Sequence, residues 1–137
     1  MNKLILDTNV LIYGMDAQSK FHASAISVLT NPDYSLFLPV KVVSEFFAVC
    51  SKLNIPTADA LRFYKEAQKN AEIIFPDPAS LTCLEQLIQK YQPRGNLVFD
   101  LEIVSIALAN QITLIATANL TDFKHISEIT LIPITAR

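Results

Sequence analysis

Short apolar runs alternate along this chain with longer stretches in which apolar residues recur at helical spacing. Lys3 to Leu6, Ser35 to Leu38, Glu72 to Phe75, Thr113 to Ala116 and Thr130 to Ile134 are the short runs, rich in Ile and Leu and too brief for helices, so they predict strands. The stretches between them predict helices over Thr8 to Met15, His22 to Thr30, Val40 to Leu53, Pro56-Thr57 to Lys69-Asn70, Pro78 to Lys90 and Asp100 to Asn110. Asn31-Pro32-Asp33 reads as a turn, and Pro39 suits the start of the helix that follows it. Five strands alternating with helices imply an α/β fold, a parallel sheet covered on both faces. Sheets of that kind bind ligands beyond the carboxyl ends of their strands, near the point where strand order reverses.

Residues 1–137 read as one domain, with no repeat, no low-complexity segment and no Gly/Ser linker. Hydrophobic residues make up 51% of the chain and charged ones 18%, enough for a full core and an apolar excess that a dimer partner or a bound peptide would cover. Cys50 and Cys83 lie in apolar stretches without CxxC spacing and read as structural thiols of a reducing, cytoplasmic setting. Asp7 ends the first apolar run after Leu4-Ile5-Leu6, so no export signal is expected. Ile103 to Thr121 is uncharged and nearly long enough to cross a bilayer, but Asn110-Gln111 splits it into a helix, a turn and a strand, and no membrane span is expected.

The chemistry lies in the acids. Asp7 directly follows the first strand, where a helix N-cap is the bland reading. Glu45 lies in Val42-Val43-Ser44-Glu45-Phe46-Phe47, apolar on nearly every face, so its carboxylate must be paired, protonated, metal-bound or at the helix edge. Lys41, four residues back, offers only a pair contributing about 0.3 to 0.5 kcal/mol. Asp100 opens another apolar helix and again invites a capping reading, while Glu102 reads as a solvated acid near the same helix end. Asp122 follows the fourth strand in a loop. All four candidates, Asp7, Glu45, Asp100 and Asp122, thus fall on the carboxyl side of one sheet. Two like charges 4 Å apart cost about 1 kcal/mol in water and about 4 at an effective dielectric of 20, so such a cluster calls for a cation. Hard oxygen donors without clustered His or Cys select Mg²⁺ or Mn²⁺. His22 and His125 are isolated and read as surface or packing residues. A net charge of −2 weakly opposes tight RNA binding, although it counts the acids of a metal site as empty.

Four segments in order, Leu6-Asp7-Thr8-Asn9-Val10-Leu11-Ile12-Tyr13, Ser44-Glu45-Phe46, Asn96-Leu97-Val98-Phe99-Asp100 and Thr117-Ala118-Asn119-Leu120-Thr121-Asp122-Phe123, resemble the motifs of PIN-domain proteins, and more narrowly of VapC-type toxins of toxin-antitoxin pairs. The resemblance runs from Leu4 to about Pro133. It implies a three-layer α/β/α sandwich with a parallel sheet of about five strands and a Mg²⁺-dependent endoribonuclease that cleaves RNA with a metal-activated water. It further implies Asp7, Glu45 and Asp100 as metal-binding acids, a homodimer, and a cognate antitoxin protein whose peptide covers the site. Thr8, Asn9, Thr117 and Asn119 form the supporting set. Asn119 stands where many relatives carry an acid, and Asp122 is the candidate to replace that charge. Two rivals are weighed against the nuclease. An aspartyl-phosphate phosphotransferase would want a second acid beside Asp7 and a lysine soon after Ala116, and neither is present. A binding module that kept the fold and lost the chemistry draws its support from Asn119 and the acidic balance.

Overall fold

A computed structural model describes residues 2–137. Along the chain run β1 (Asn2–Leu6), α1 (Thr8–Met15), α2 (His22–Leu29), β2 (Tyr34–Pro39), α3 (Val40–Lys52), α4 (Thr57–Gln68), β3 (Ala71–Ile74), α5 (Pro78–Tyr91), α6 (Leu97–Ala109), β4 (Leu114–Thr117), α7 (Leu120–Phe123) and β5 (Thr130–Pro133). The strands form one sheet in the order β3-β2-β1-β4-β5, and every neighbouring pair is parallel. The α/β class and the five strands expected from the pattern are both present.

Strand order moves outward from β1 to β3, then returns across β1 to β4 and β5. Right-handed crossovers then set α1 to α4 on one face and α5 to α7 on the other. The packing agrees: α1 lies against α2 and α3, α3 against α4, α5 against α6, and α6 against α7. The order reverses between β1 and β4, which are paired through Leu4 with Leu114, Ile5 with Ile115 and Leu6 with Ala116. Leu4, Ile5, Leu6, Ile115 and Ala116 are fully buried, as strands covered by helices on both faces require. Gly14 lets α1 and α2 approach closely: a Cβ there would lie 2.6 Å from Leu29 Cδ1.

Two details differ from the sequence reading. The helix expected from Asp100 begins at Leu97, so Asp100 lies within its first turn rather than capping it. Leu97-Val98-Phe99 looked like loop, yet it packs as helix because Leu101, Val104 and Ile106 bury the same element. The loop expected around Asp122 contains the one-turn helix α7, pinned by the fully buried Phe123. The Ile103 to Thr121 stretch is the rest of α6, a turn at Gln111 with φ 57°, β4 and the first residues of α7. Among the described residues no helix is long and apolar enough to cross a membrane.

Candidate active site

Asp7 is where the strand order predicts chemistry, at the carboxyl end of β1 beside the reversal point. It caps α1, its Oδ1 accepting from Thr8 N at 2.8 Å, so the bland reading holds for that oxygen. The other oxygen has a different task. Oδ2 accepts from the Thr117 hydroxyl at 2.8 Å and from Asn9 Nδ2 at 3.1 Å. Thr117, fully buried at the end of β4, in turn accepts from Asn119 N at 2.9 Å and Asn9 Nδ2 at 3.3 Å. Asn9 closes the ring by accepting from Ala118 N at 3.0 Å. One network thus ties the ends of β1 and β4 together around a carboxylate, and a helix cap alone requires none of it.

Glu45 enters from α3, its Oε2 accepting from the Thr8 hydroxyl at 2.9 Å. Its side chain is 41% exposed, so the carboxylate sits at the helix edge and escapes the heavy desolvation that the surrounding apolar sequence suggested. Asp100 enters from α6 on the opposite face of the sheet. Burial, then the charges of Asp122, Asp7 and Glu45, push its carboxyl up to about 7, against a smaller opposing pull from Lys41. Burial also raises Asp7, more than its bonds from Thr117, Thr8 and Asn9 lower it, and Glu45 adds to the rise. Asp122 accepts from Asn119 Nδ2, which couples the two candidates for the fourth acid position. Asp7, Thr8, Asn9, Glu45, Asp100 and Asn119 line an open pocket of about 310 Å³ with Ile12, Tyr13 and Val49. A larger depression of about 690 Å³ lies elsewhere, near the starts of β2 and β3, and the site residues take no part in it.

The PIN-domain family pattern matches residues 4–129. The chain belongs to the PIN-domain family. Among solved structures, VapBC2 from Rickettsia felis bound to a promoter DNA fragment is similar over 96% of this chain and 98% of that one, with TM-score 0.76 and 20% identity. VapBC-1 from nontypeable Haemophilus influenzae matches over 96% and 97%, with TM-score 0.71 and 21% identity. VapC20 from Mycobacterium tuberculosis, described as a sarcin-ricin loop cleaving toxin, matches over 82% and 86%, with TM-score 0.65 and 10% identity. No curated protein matches the chain. These likenesses fix the three-layer PIN fold.

This PIN domain also holds a cluster that the sequence reading missed. Lys41 Nζ lies 3.3 Å from Glu102 Oε1 and 3.7 Å from Glu45 Oε1, and it stands 4.0 Å from the centre of the Phe99 ring. Glu102 is therefore half of an ion pair between α3 and α6 rather than a merely solvated acid. Only the packing of two distant helices brings it to Lys41, and its spacing from Asp100 carries no sign of that. Asp77 illustrates a carboxylate with a capping role: its Oδ1 accepts from Ser80 N, and Ser80 Oγ bonds back to Asp77 N, both at 2.8 Å. His22 bonds Tyr13 O at 2.8 Å and His125 packs edge-on against Tyr91, in keeping with packing roles. Cys50 is buried and Cys83 half-buried, and both are free thiols raised by burial.

Proposed function

We propose that this protein is a Mg²⁺- or Mn²⁺-dependent endoribonuclease of the VapC type, the toxin of a toxin-antitoxin pair. The observation that carries the reading is the convergence of Asp7, Glu45, Asp100 and Asp122 on one edge of the sheet, where burial first and then the charges of Asp122, Asp7 and Glu45 push the Asp100 carboxyl up to about 7. A carboxyl raised by burial and by neighbouring acids marks a site whose repulsion a divalent cation would relieve. The donors are all oxygen, which suits Mg²⁺ or Mn²⁺. Asp7, Glu45 and Asp100 would hold the ion directly and Asp122 through water. A divalent ion held there would supply a water of lowered pKa and offset charge building on the scissile phosphate.

The surrounding residues keep those carboxylates oriented. Thr117 and Asn9 fix one oxygen of Asp7, Thr8 N fixes the other, and the Thr8 hydroxyl holds Glu45. Asn119 spans Thr117 and Asp122. An RNA substrate is supported by the open pocket over these groups and by the likeness to a toxin described as cleaving the sarcin-ricin loop. An antitoxin partner is supported by the VapBC assemblies among the structural relatives. A two-fold homodimer is supported by the exposed Leu53 and Leu61 near one end of α3 and on α4. Phe63, two residues on from Leu61 in α4, instead stacks on the buried Phe46 with ring centres 6.0 Å apart.

A silent PIN-fold binding module is the second reading, favoured by Asn119 at an acid position and by one further observation. Among the described residues, no three or more His, Cys, Asp and Glu side chains form a ready metal cage. Two measurements separate the readings. The nuclease should cut single-stranded RNA only with Mg²⁺ or Mn²⁺, lose that activity in Asp7→Asn, and melt higher in millimolar Mg²⁺. Cleavage that survives both EDTA and Asp7→Asn sinks the assignment, and an unchanged melting temperature together with no cleavage establishes the binding module.

A further inference from the structure

We propose that Phe99 is a stacking platform for one unpaired nucleobase of the RNA strand, with Lys41 as the residue that positions its ring. The proposal rests on the nuclease reading and deepens it, naming a single-stranded substrate with a base free to stack beside the cleaved phosphate.

Phe99 immediately precedes Asp100 in the first turn of α6, and it is 48% exposed. One face is accounted for. The Lys41 ammonium stands 4.0 Å from the ring centre, its side chain only 22% exposed, and it is also paired with Glu102 at 3.3 Å and Glu45 at 3.7 Å. The exposure of the ring therefore belongs to its opposite face and rim. A cation held over an aromatic face also draws electron density toward the covered side, which makes the open face a better partner for an electron-rich base.

The surroundings favour a base over an apolar protein segment. Arg94, Gly95 and Asn96 just before the ring, and Ser44 beside Glu45, are exposed and polar or lack a side chain. A protein partner needs a contiguous apolar patch of roughly a few hundred Å². A base needs one flat face, and every base has one. The position is also right, since the ammonium that touches the ring touches Glu45 as well. Stacking also supplies a contribution to affinity that is independent of a basic surface.

The chain contains no tryptophan, so Phe99→Trp introduces a single fluorescent reporter at the platform. In an Asp7→Asn background, which need not cleave, the reporter should be quenched by a short oligoadenylate and unaffected by inorganic polyphosphate of matched charge. Phe99→Ala should weaken oligoadenylate binding on the order of 10-fold, as loss of one stacked base does, with an unchanged melting curve. Lys41→Met should lower the fluorescence anisotropy of the reporter and, in otherwise unaltered protein, raise KM more than it lowers kcat, while Lys41→Arg restores both. Equal quenching by polyphosphate, unchanged oligoadenylate binding by Phe99→Ala, or a concentration-dependent spectral shift without RNA that assigns the ring to a second copy would each overturn the proposal. Failure of the nuclease reading looks different: quenching persists while unaltered protein leaves RNA intact.

Discussion

Replacing Asp100 by Asn tests the electrostatic account of the site directly. In the folded protein the Asp100 carboxyl rises from an ordinary 3.8 to about 7, through burial first and the charges of Asp122, Asp7 and Glu45 next. The folded state therefore binds this proton more tightly than the unfolded chain does. Its contribution to stability is full below about pH 4, is lost as pH rises through about 7, and is flat beyond. At about 1.4 kcal/mol per pKa unit the ceiling is about 4 kcal/mol. The carboxylate is only partly shielded from water, so about 1 to 2 kcal/mol is the expected size after screening. Asp100→Asn removes the charge and keeps the shape. In EDTA at pH 7.5 the variant should be more stable than the unaltered protein by that amount, about 3 to 8 °C in Tm for a domain of this size. At pH 4 the two should melt together within about 0.5 kcal/mol, the ordinary range for a substitution outside the core. Millimolar Mg²⁺ at pH 7.5 should raise the Tm of the unaltered protein alone and close the gap. Paired thermal melts by circular dichroism across this pH range provide the measurement. A variant that is less stable at pH 7.5, or a difference that does not change with pH, would refute the claim that burial and the neighbouring acids together disfavour the ionised Asp100.

Thr117→Val keeps volume but strips a hydroxyl that donates to Asp7 and accepts from Asn119 N and Asn9 Nδ2. It should cost about 1 to 3 kcal/mol in urea unfolding, with Thr117→Ser retaining most of the stability, and an undiminished Val variant would show the network to be incidental. Asp122→Asn should weaken Mg²⁺ binding about 10- to 100-fold by calorimetry, with excess metal restoring most of the activity, whereas Asn119→Asp should tighten binding. Two equally tight ions in the unaltered protein would contradict the one-site reading behind both expectations. Gly14→Ala should destabilise by about 1 to 3 kcal/mol, because its methyl meets Leu29 Cδ1 at 2.6 Å unless that side chain swings away. A melting temperature at or above that of the unaltered protein would show that Leu29 yields freely.

Local pattern alone determined much of this protein. Runs such as Leu4-Ile5-Leu6 could bury both faces only inside a covered parallel sheet, so strand identity, class and the edge on which the candidate acids lie followed from hydrophobic periodicity. Asp7 was legible because it ends such a run, and Glu45 because a lone carboxylate in an apolar helix demands a reason. Tertiary structure decided what periodicity does not encode, namely which distant residues meet. The start of α6 at Leu97 was hidden because Asp100, four residues on from Asn96, reads as an equally good N-cap, and in the fold Asn96 makes no side-chain cap bond, so packing rather than capping winds that turn. The Thr117 bond to Asp7 joins residues 110 positions apart, and it exists because β4 pairs beside β1 rather than at an edge. Lys41 seemed tied to its own helix neighbour Glu45, but the approach of α6 from the opposite face gives it Glu102 and Phe99 as well. A sequence states each side chain's chemistry and its near neighbours along the chain, while the charges that fix a pKa or hold a ring in place arrive across the sheet.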